Sequence, residues 1–128
     1  MKYLLDTHTF IWLDSIPDQL SPNVALICKN PANILYVSLA SIWEMQIKIS
    51  AGKLQLPKPL QEIVQWQQQN NFVQILPVAL QHIFTLESLP PYHRDPFDRI
   101  LIAQAQVENL LILSRDTTFA QYPVNVLW

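Results

Sequence analysis

Five short runs of apolar and β-branched residues, separated by stretches long enough for helices, constrain this chain more than any other feature. They are Tyr3-Leu4-Leu5, Ile34-Leu35-Tyr36-Val37, Phe72-Val73-Gln74-Ile75, Leu110-Leu111-Ile112-Leu113 and Val124-Asn125-Val126-Leu127. Their length and composition predict strands. Near-continuous apolar strands are buried on both faces, and parallel neighbours need crossovers, which helices supply. The expected fold is α/β, with a mainly parallel sheet of about five strands covered on both sides. With 128 residues the chain suits one domain spanning 1–128. Half of its residues are hydrophobic, 14% are charged and glycine occurs once, so a folded globule without flexible linkers is expected.

Between the second and third strand runs, Trp43, Met45, Ile47 and Ile49 alternate with Glu44, Gln46 and Lys48, the period of a strand. The competing pattern is helical. Ile42, Met45 and Ile49 form a stripe, Ser41 and Glu44 have capping-box spacing, and Gly52 stands where a helix would stop. A helix is the expected structure. Pro57 and Pro59 precede a second amphipathic helix from Leu60 through Trp66 that ends near Asn70-Asn71, and Asp95-Pro96 opens a third. No repeat or low-complexity tract is visible.

Cys28 is the only cysteine, so no internal disulfide can form, and an unstapled small domain suits a reducing compartment such as the cytoplasm. The opening apolar run meets Asp6 too early for a signal-peptide core, and no apolar stretch approaches membrane-spanning length. A net charge of −2 argues against a nucleic-acid binder held by charge alone. It leaves nucleic acid open, because cations bound by gathered acids reverse the local sign.

The acids carry the chemistry. Asp6 follows the first strand, Asp116 follows the fourth by way of Ser114-Arg115, and Asp98 sits in the first turn of the helix opened by Asp95-Pro96. In a parallel α/β sheet such positions gather at the carboxyl edge of the strands, where ligand sites form. Glu44, early in its helix, can face the same edge. Gathered carboxylates are stable near neutral pH only if some are protonated or a cation is bound. All-oxygen donors favour Mg²⁺ or Mn²⁺, ions that activate water and stabilise charge during phosphodiester cleavage. Each acid also has a plain structural reading: Asp6 and Asp116 as N-caps, Glu44 as the capping-box partner of Ser41. Asp95 before Pro96 is read as a cap alone.

Other chemistries find little support. His8, His82 and His93 lack zinc spacing and are expected at the surface or behind metal ligands. No nucleophile elbow surrounds Ser38, Ser41 or Ser114, and a single glycine excludes phosphate-binding loops. Trp12, Trp43 and Trp66 are expected in the core or at an interface.

Taken together, Leu4-Leu5-Asp6-Thr7-His8, Ser41-Ile42-Trp43-Glu44 with Lys48 and Gly52-Lys53-Leu54, His93-Arg94-Asp95-Pro96-Phe97-Asp98-Arg99 with Ala103-Gln104-Ala105, and Leu113-Ser114-Arg115-Asp116 resemble a PIN domain. The order and context are those of the VapC-like toxins of bacterial toxin–antitoxin pairs, and the likeness spans nearly the whole chain. The resemblance implies a three-layer α/β/α sandwich whose acidic pocket binds Mg²⁺ or Mn²⁺ and cuts RNA. It puts Asp6, Glu44, Asp98 and Asp116 at the family's acidic positions. On this view Asp6, Glu44 and Asp98 hold one ion, while Asp116 serves a second ion or an ordered water. Thr7 and Ser114 would orient a carboxylate or a metal-bound water, and Arg94, Arg99 and Arg115 would meet RNA phosphates. A small cognate antitoxin and a homodimer are implied as partners.

Two other families that begin with a strand and an aspartate fit less well. Phosphotransfer domains of haloacid-dehalogenase type need a second aspartate where His8 stands, and a response-regulator receiver needs an acid pair after its first strand. Within the PIN fold, the rivals are a catalytically weak RNA-binding or antitoxin-binding module and a housekeeping RNA-processing nuclease.

Overall fold

The structure, a computed structural model, describes residues 1–128. The elements run β1 (Lys2–Leu5), α1 (Thr7–Ser15), α2 (Pro22–Lys29), β2 (Ile34–Ser38), α3 (Leu39–Ser50), α4 (Leu60–Asn70), β3 (Gln74–Leu76), α5 (Leu80–Thr85), α6 (Pro96–Glu108), β4 (Leu111–Leu113) and β5 (Val126–Leu127). All five strands are parallel, in the order β3-β2-β1-β4-β5, as the strand runs with helix-length spacers predict. β1 is the central strand: Leu5 lies opposite Val37 of β2 on one side and Leu113 of β4 on the other.

Side-chain alternation along β1 divides the interior into two cores. Tyr3 and Leu5 point to one face and join Phe10 of α1, Val24 of α2, Met45 of α3 and Ile63 of α4. Leu4 points to the other and packs with Leu101 and Ile102 of α6, Ile112 of β4 and Phe119. Helices on both faces of one sheet make the expected α/β/α sandwich. No helix is long and apolar enough to cross a membrane.

Three strands start later than expected. The third strand begins at Gln74, because Phe72 adopts φ 54° and is 75% exposed at the turn that leaves α4. The fourth begins at Leu111: Asn109 turns left-handed at the end of α6, and the Leu110 amide is spent on the Ala105 carbonyl. The fifth shortens to Val126–Leu127.

The helical reading of the alternating segment holds, but its capping box does not form. β2 runs straight into α3, so Ser38 becomes the cap and its hydroxyl accepts from the Ala40 amide at 3.1 Å. Ser41 falls inside the helix and is fully buried. Gly52 stands just beyond the helix end at φ 70°, a conformation that favours glycine. The α4 end at Asn70 and the Asp95 cap of α6 agree with the sequence. Because Ser38 sets where α3 starts, and so where Glu44 points, Ser38→Ala is expected to lower stability by about 1 kcal/mol. Urea denaturation followed by circular dichroism measures it.

Candidate active site

Asp6 is the first residue past β1 and has two jobs. It caps α1, with Oδ1 accepting from the Thr9 amide at 2.8 Å, and Oδ2 accepts from the Ser114 hydroxyl at 2.5 Å. Ser114 follows β4, so this bond ties together the ends of two adjacent strands. The Asp6 amide and the Thr9 hydroxyl both donate to the Leu113 carbonyl, at 3.2 and 2.9 Å. Capping and placement at the cleft are therefore compatible, since each carboxylate oxygen offers two acceptor sites.

Glu44 reaches the same edge from the second turn of α3. Its Oε1 accepts from the Thr7 hydroxyl at 2.8 Å, and Thr7 lies 3.0 Å from the Ser41 hydroxyl. Its Oε2 accepts from the Lys48 ammonium one turn later at 2.6 Å. That hydrogen bond pushes the Lys48 pKa up, against a smaller opposing effect of burial.

Asp98 lies in the first turn of α6, one turn beyond the cap Asp95, whose carboxylate accepts from the Phe97 amide at 2.8 Å. Burial, followed by the negative charges of Asp95, Glu44 and Asp6, drives the Asp98 carboxyl up to about 7, with only His93 opposing. Asp116 behaves in the opposite way. Burial works to raise it, but hydrogen bonds from His93 and Thr118 prevail and hold it below its ordinary value. Its Oδ1 accepts from the Thr118 amide at 2.9 Å, and its Oδ2 lies 3.0 Å from His93 Nε2.

The four acids singled out from sequence line one cleft of about 210 Å³, together with Asp95 and Lys48. The tightest grouping is not those four. Ligand atoms of His93, Asp98 and Asp116 lie within 4.8 Å of one another. His93, expected at the surface or behind a metal ligand, lies against Asp116, a partner 23 residues away that only the fold brings to it. Lys48 had a visible signal, the four-residue step from Glu44, which ordinarily denotes a solvated helix pair. Asp95, expected as a cap, is one and also lends its charge to the cleft.

The other expected residues divide. Arg94 and Arg115 are exposed, the latter with its guanidinium 5.9 Å from the centre of the Trp12 ring. Arg99 stands apart: its guanidinium donates to the carbonyls of Leu86, Leu89, Pro90 and His93 at 2.9 to 3.4 Å, so its donors are committed to backbone. His82 is structural, buried between the Ala79 amide and Glu108. Trp12 packs on the first core, whereas Trp43 and Trp66 are 64% and 50% exposed rather than core residues. Trp43 meets Phe97 edge to face, bridging the neighbours in sequence of Glu44 and Asp98.

A family profile described as PIN domain matches residues 3–125. The chain belongs to the PIN-domain family. No curated protein matches it by sequence. Among solved structures, VapBC2 from Rickettsia felis, crystallised with a DNA fragment from its promoter, contains a chain that aligns with a TM-score of 0.75 at 19% identity, covering 99% of this chain and 98% of that one. FitAcB from Neisseria gonorrhoeae gives 0.66 at 20%, covering 98% and 96%. DNA-bound VapBC from Salmonella typhimurium gives 0.67 at 16%, covering 99% and 97%. At these identities the likeness is one of fold.

Membership supports nuclease activity, and thus a hydrolase, as the general class, and the donors of this PIN domain fit the divalent metal such nucleases generally use. The donors are mostly carboxylate oxygens, and burial together with the neighbouring acids disfavours the ionised form of Asp98. That preference has a measurable sign. With the Asp98 carboxyl raised from 3.8 to about 7, the folded protein holds the proton more tightly than the unfolded chain. Stability contributed by this group is therefore lost as pH rises between those values. In chelator, Asp98→Asn is expected to raise the melting temperature relative to wild type near pH 8. The gain should shrink through pH 7 and vanish below the unfolded value, which thermal denaturation across pH will test.

Proposed function

We propose that this PIN domain, acting as a single unit in the cytoplasm, is an Mg²⁺- or Mn²⁺-dependent endoribonuclease and the toxin of a toxin–antitoxin pair. The observation that carries the reading is the convergence of Asp6, Glu44, Asp98 and Asp116 on one cleft with Asp98 left electrostatically unsatisfied. A divalent ion bound there would supply water activation and neutralisation of charge on the phosphate undergoing cleavage.

The chain's own residues do the rest. Asp6, Glu44 and Asp98 would hold the first ion, and Asp116 a second ion or an ordered water. The Ser114 hydroxyl fixes one oxygen of Asp6, and the Thr7 hydroxyl fixes one of Glu44, so both carboxylates keep their aim as substrate arrives. Lys48 balances Glu44 and stands at the cleft, where it can turn to a phosphate oxygen once a metal takes its place beside the carboxylate. Arg94 and Arg115 are exposed and would meet the flanking backbone of an RNA whose shape, more than its base sequence, would select the cleavage site.

The toxin role is supported by the fold shared with chains of VapBC and FitAcB and of a toxin–antitoxin complex from Klebsiella pneumoniae. A small antitoxin whose segment fills the acidic groove, and a homodimer, belong to the same reading. A small open reading frame beside the gene would favour the toxin role, and its absence a housekeeping one.

The deciding assay incubates wild type and Asp6→Asn with structured RNA in Mg²⁺, Mn²⁺ and chelator. Cleavage is expected only with metal, and slower by at least about 100-fold in the folded variant. RNA left intact by wild type across metals and substrates would instead favour a binding module.

A further inference from the structure

Asp116 has the least support from secondary structure of the cleft acids. It lies beyond β4 at the mouth of a short 3₁₀ turn, with its side chain 43% exposed. Beside the Thr118 amide, its second restraint is the imidazole of His93. That ring is itself tightly held. Its side chain is 8% exposed, it stacks on Tyr122 at 5.5 Å between centroids and packs at a tilt against Phe119 at 4.7 Å, and Arg99 holds its backbone carbonyl at 3.3 Å.

The protons around this ring can be assigned from their partners. The His93 amide, which can only donate, lies 2.8 Å from the Tyr122 hydroxyl, and the same hydroxyl lies 3.3 Å from His93 Nδ1. The hydroxyl oxygen accepts from the amide, so its one proton is free to go to Nδ1. With Nδ1 accepting, a neutral ring carries its proton on Nε2, and Nε2–H then donates to Asp116 Oδ2. By distance alone Nε2 could join Asp98 and Asp116 as a metal ligand. In this hydrogen-bond chain its lone pair is taken by the N–H bond.

We propose that Tyr122 and His93 form a positioning relay that aims the Asp116 carboxylate into the cleft, so that His93 tunes cation binding through Asp116 and is not itself a ligand. The inference rests on the metal-binding reading of the cleft. It makes the Pro90–Asp95 loop, which carries no acid singled out for the metal, part of the machinery.

The test measures Mn²⁺ affinity of the full chain by calorimetry, with circular dichroism melts to confirm folding, for wild type, His93→Gln, His93→Asn, His93→Ala and Tyr122→Phe. Gln sets an amide N–H where Nε2–H stands, whereas Asn reaches only the Nδ1 place. Ala and Asn are expected to weaken binding roughly tenfold or more. Gln should restore most of it, and Tyr122→Phe should cost less and add nothing in the Ala background. Pulsed electron paramagnetic resonance of the Mn²⁺ form should show no directly coordinated nitrogen. A coordinated imidazole nitrogen in wild type, folded Ala and Asn variants that bind like wild type, or Gln as weak as Asn would each overturn the relay. Absence of Mn²⁺ binding by wild type would overturn the metal reading first, a result distinguishable from the others.

Discussion

Bringing five carboxylates to one small cleft sets like charges against one another, and the rest of the site is arranged around that repulsion. Each acid but one has its own compensation. Asp6 has the amide end of α1 and a hydroxyl from the neighbouring strand, Glu44 an ammonium one turn along its helix, Asp95 the amide end of α6, and Asp116 an imidazole and a turn amide. The positive ends of α1 and α6 thus serve acids on both sides of the sheet's central strand. Asp98 is left with burial and neighbouring charge, and the imbalance gathers on it.

The sheet order makes the arrangement possible. With β1 in the middle, its carboxyl end is flanked by the ends of β2 and β4, so Ser38 leads into α3 and Glu44 on one side while Ser114 and Asp116 arrive on the other. α6 then closes the cleft from the second core, and the Trp43–Phe97 contact ties it to α3. The same strands that bury the apolar interior therefore fix the spacing of the polar edge, and Asp116, three residues past β4, is held by a 3₁₀ turn amide and the His93 imidazole.

Much of this is legible in the chain. Apolar runs with helix-length spacers determine a parallel α/β sheet, and acids at strand exits and helix entrances point to its carboxyl edge by their positions alone. What escapes is governed by competition and by distance. The capping-box spacing of Ser41 and Glu44 points to Ser41 as the cap of α3, but β2 runs straight into the helix and Ser38 takes that place, which frees Ser41 to sit beside Thr7. Phe72 has strand composition, but the turn leaving α4 forces it into a left-handed conformation. Arg99 reads as a phosphate contact by its place beside Asp98, yet four carbonyls of a curved loop claim it. His93 acquires its neighbours only when that loop is in place.

The cleft is also divided along the chain in time. Asp6 and Glu44 belong to the first half, whereas Asp98 and Asp116 fall in the last quarter. β4, which supplies the edge bearing Ser114, must slot in beside the central strand after every earlier element has been made. A chain emerging from the ribosome and still short of Asp95 therefore holds β1 with one side unpaired and three of the five cleft acids unborn. The acidic edge is therefore completed only when β4 pairs with β1 and brings Ser114 and Asp116 beside Asp6.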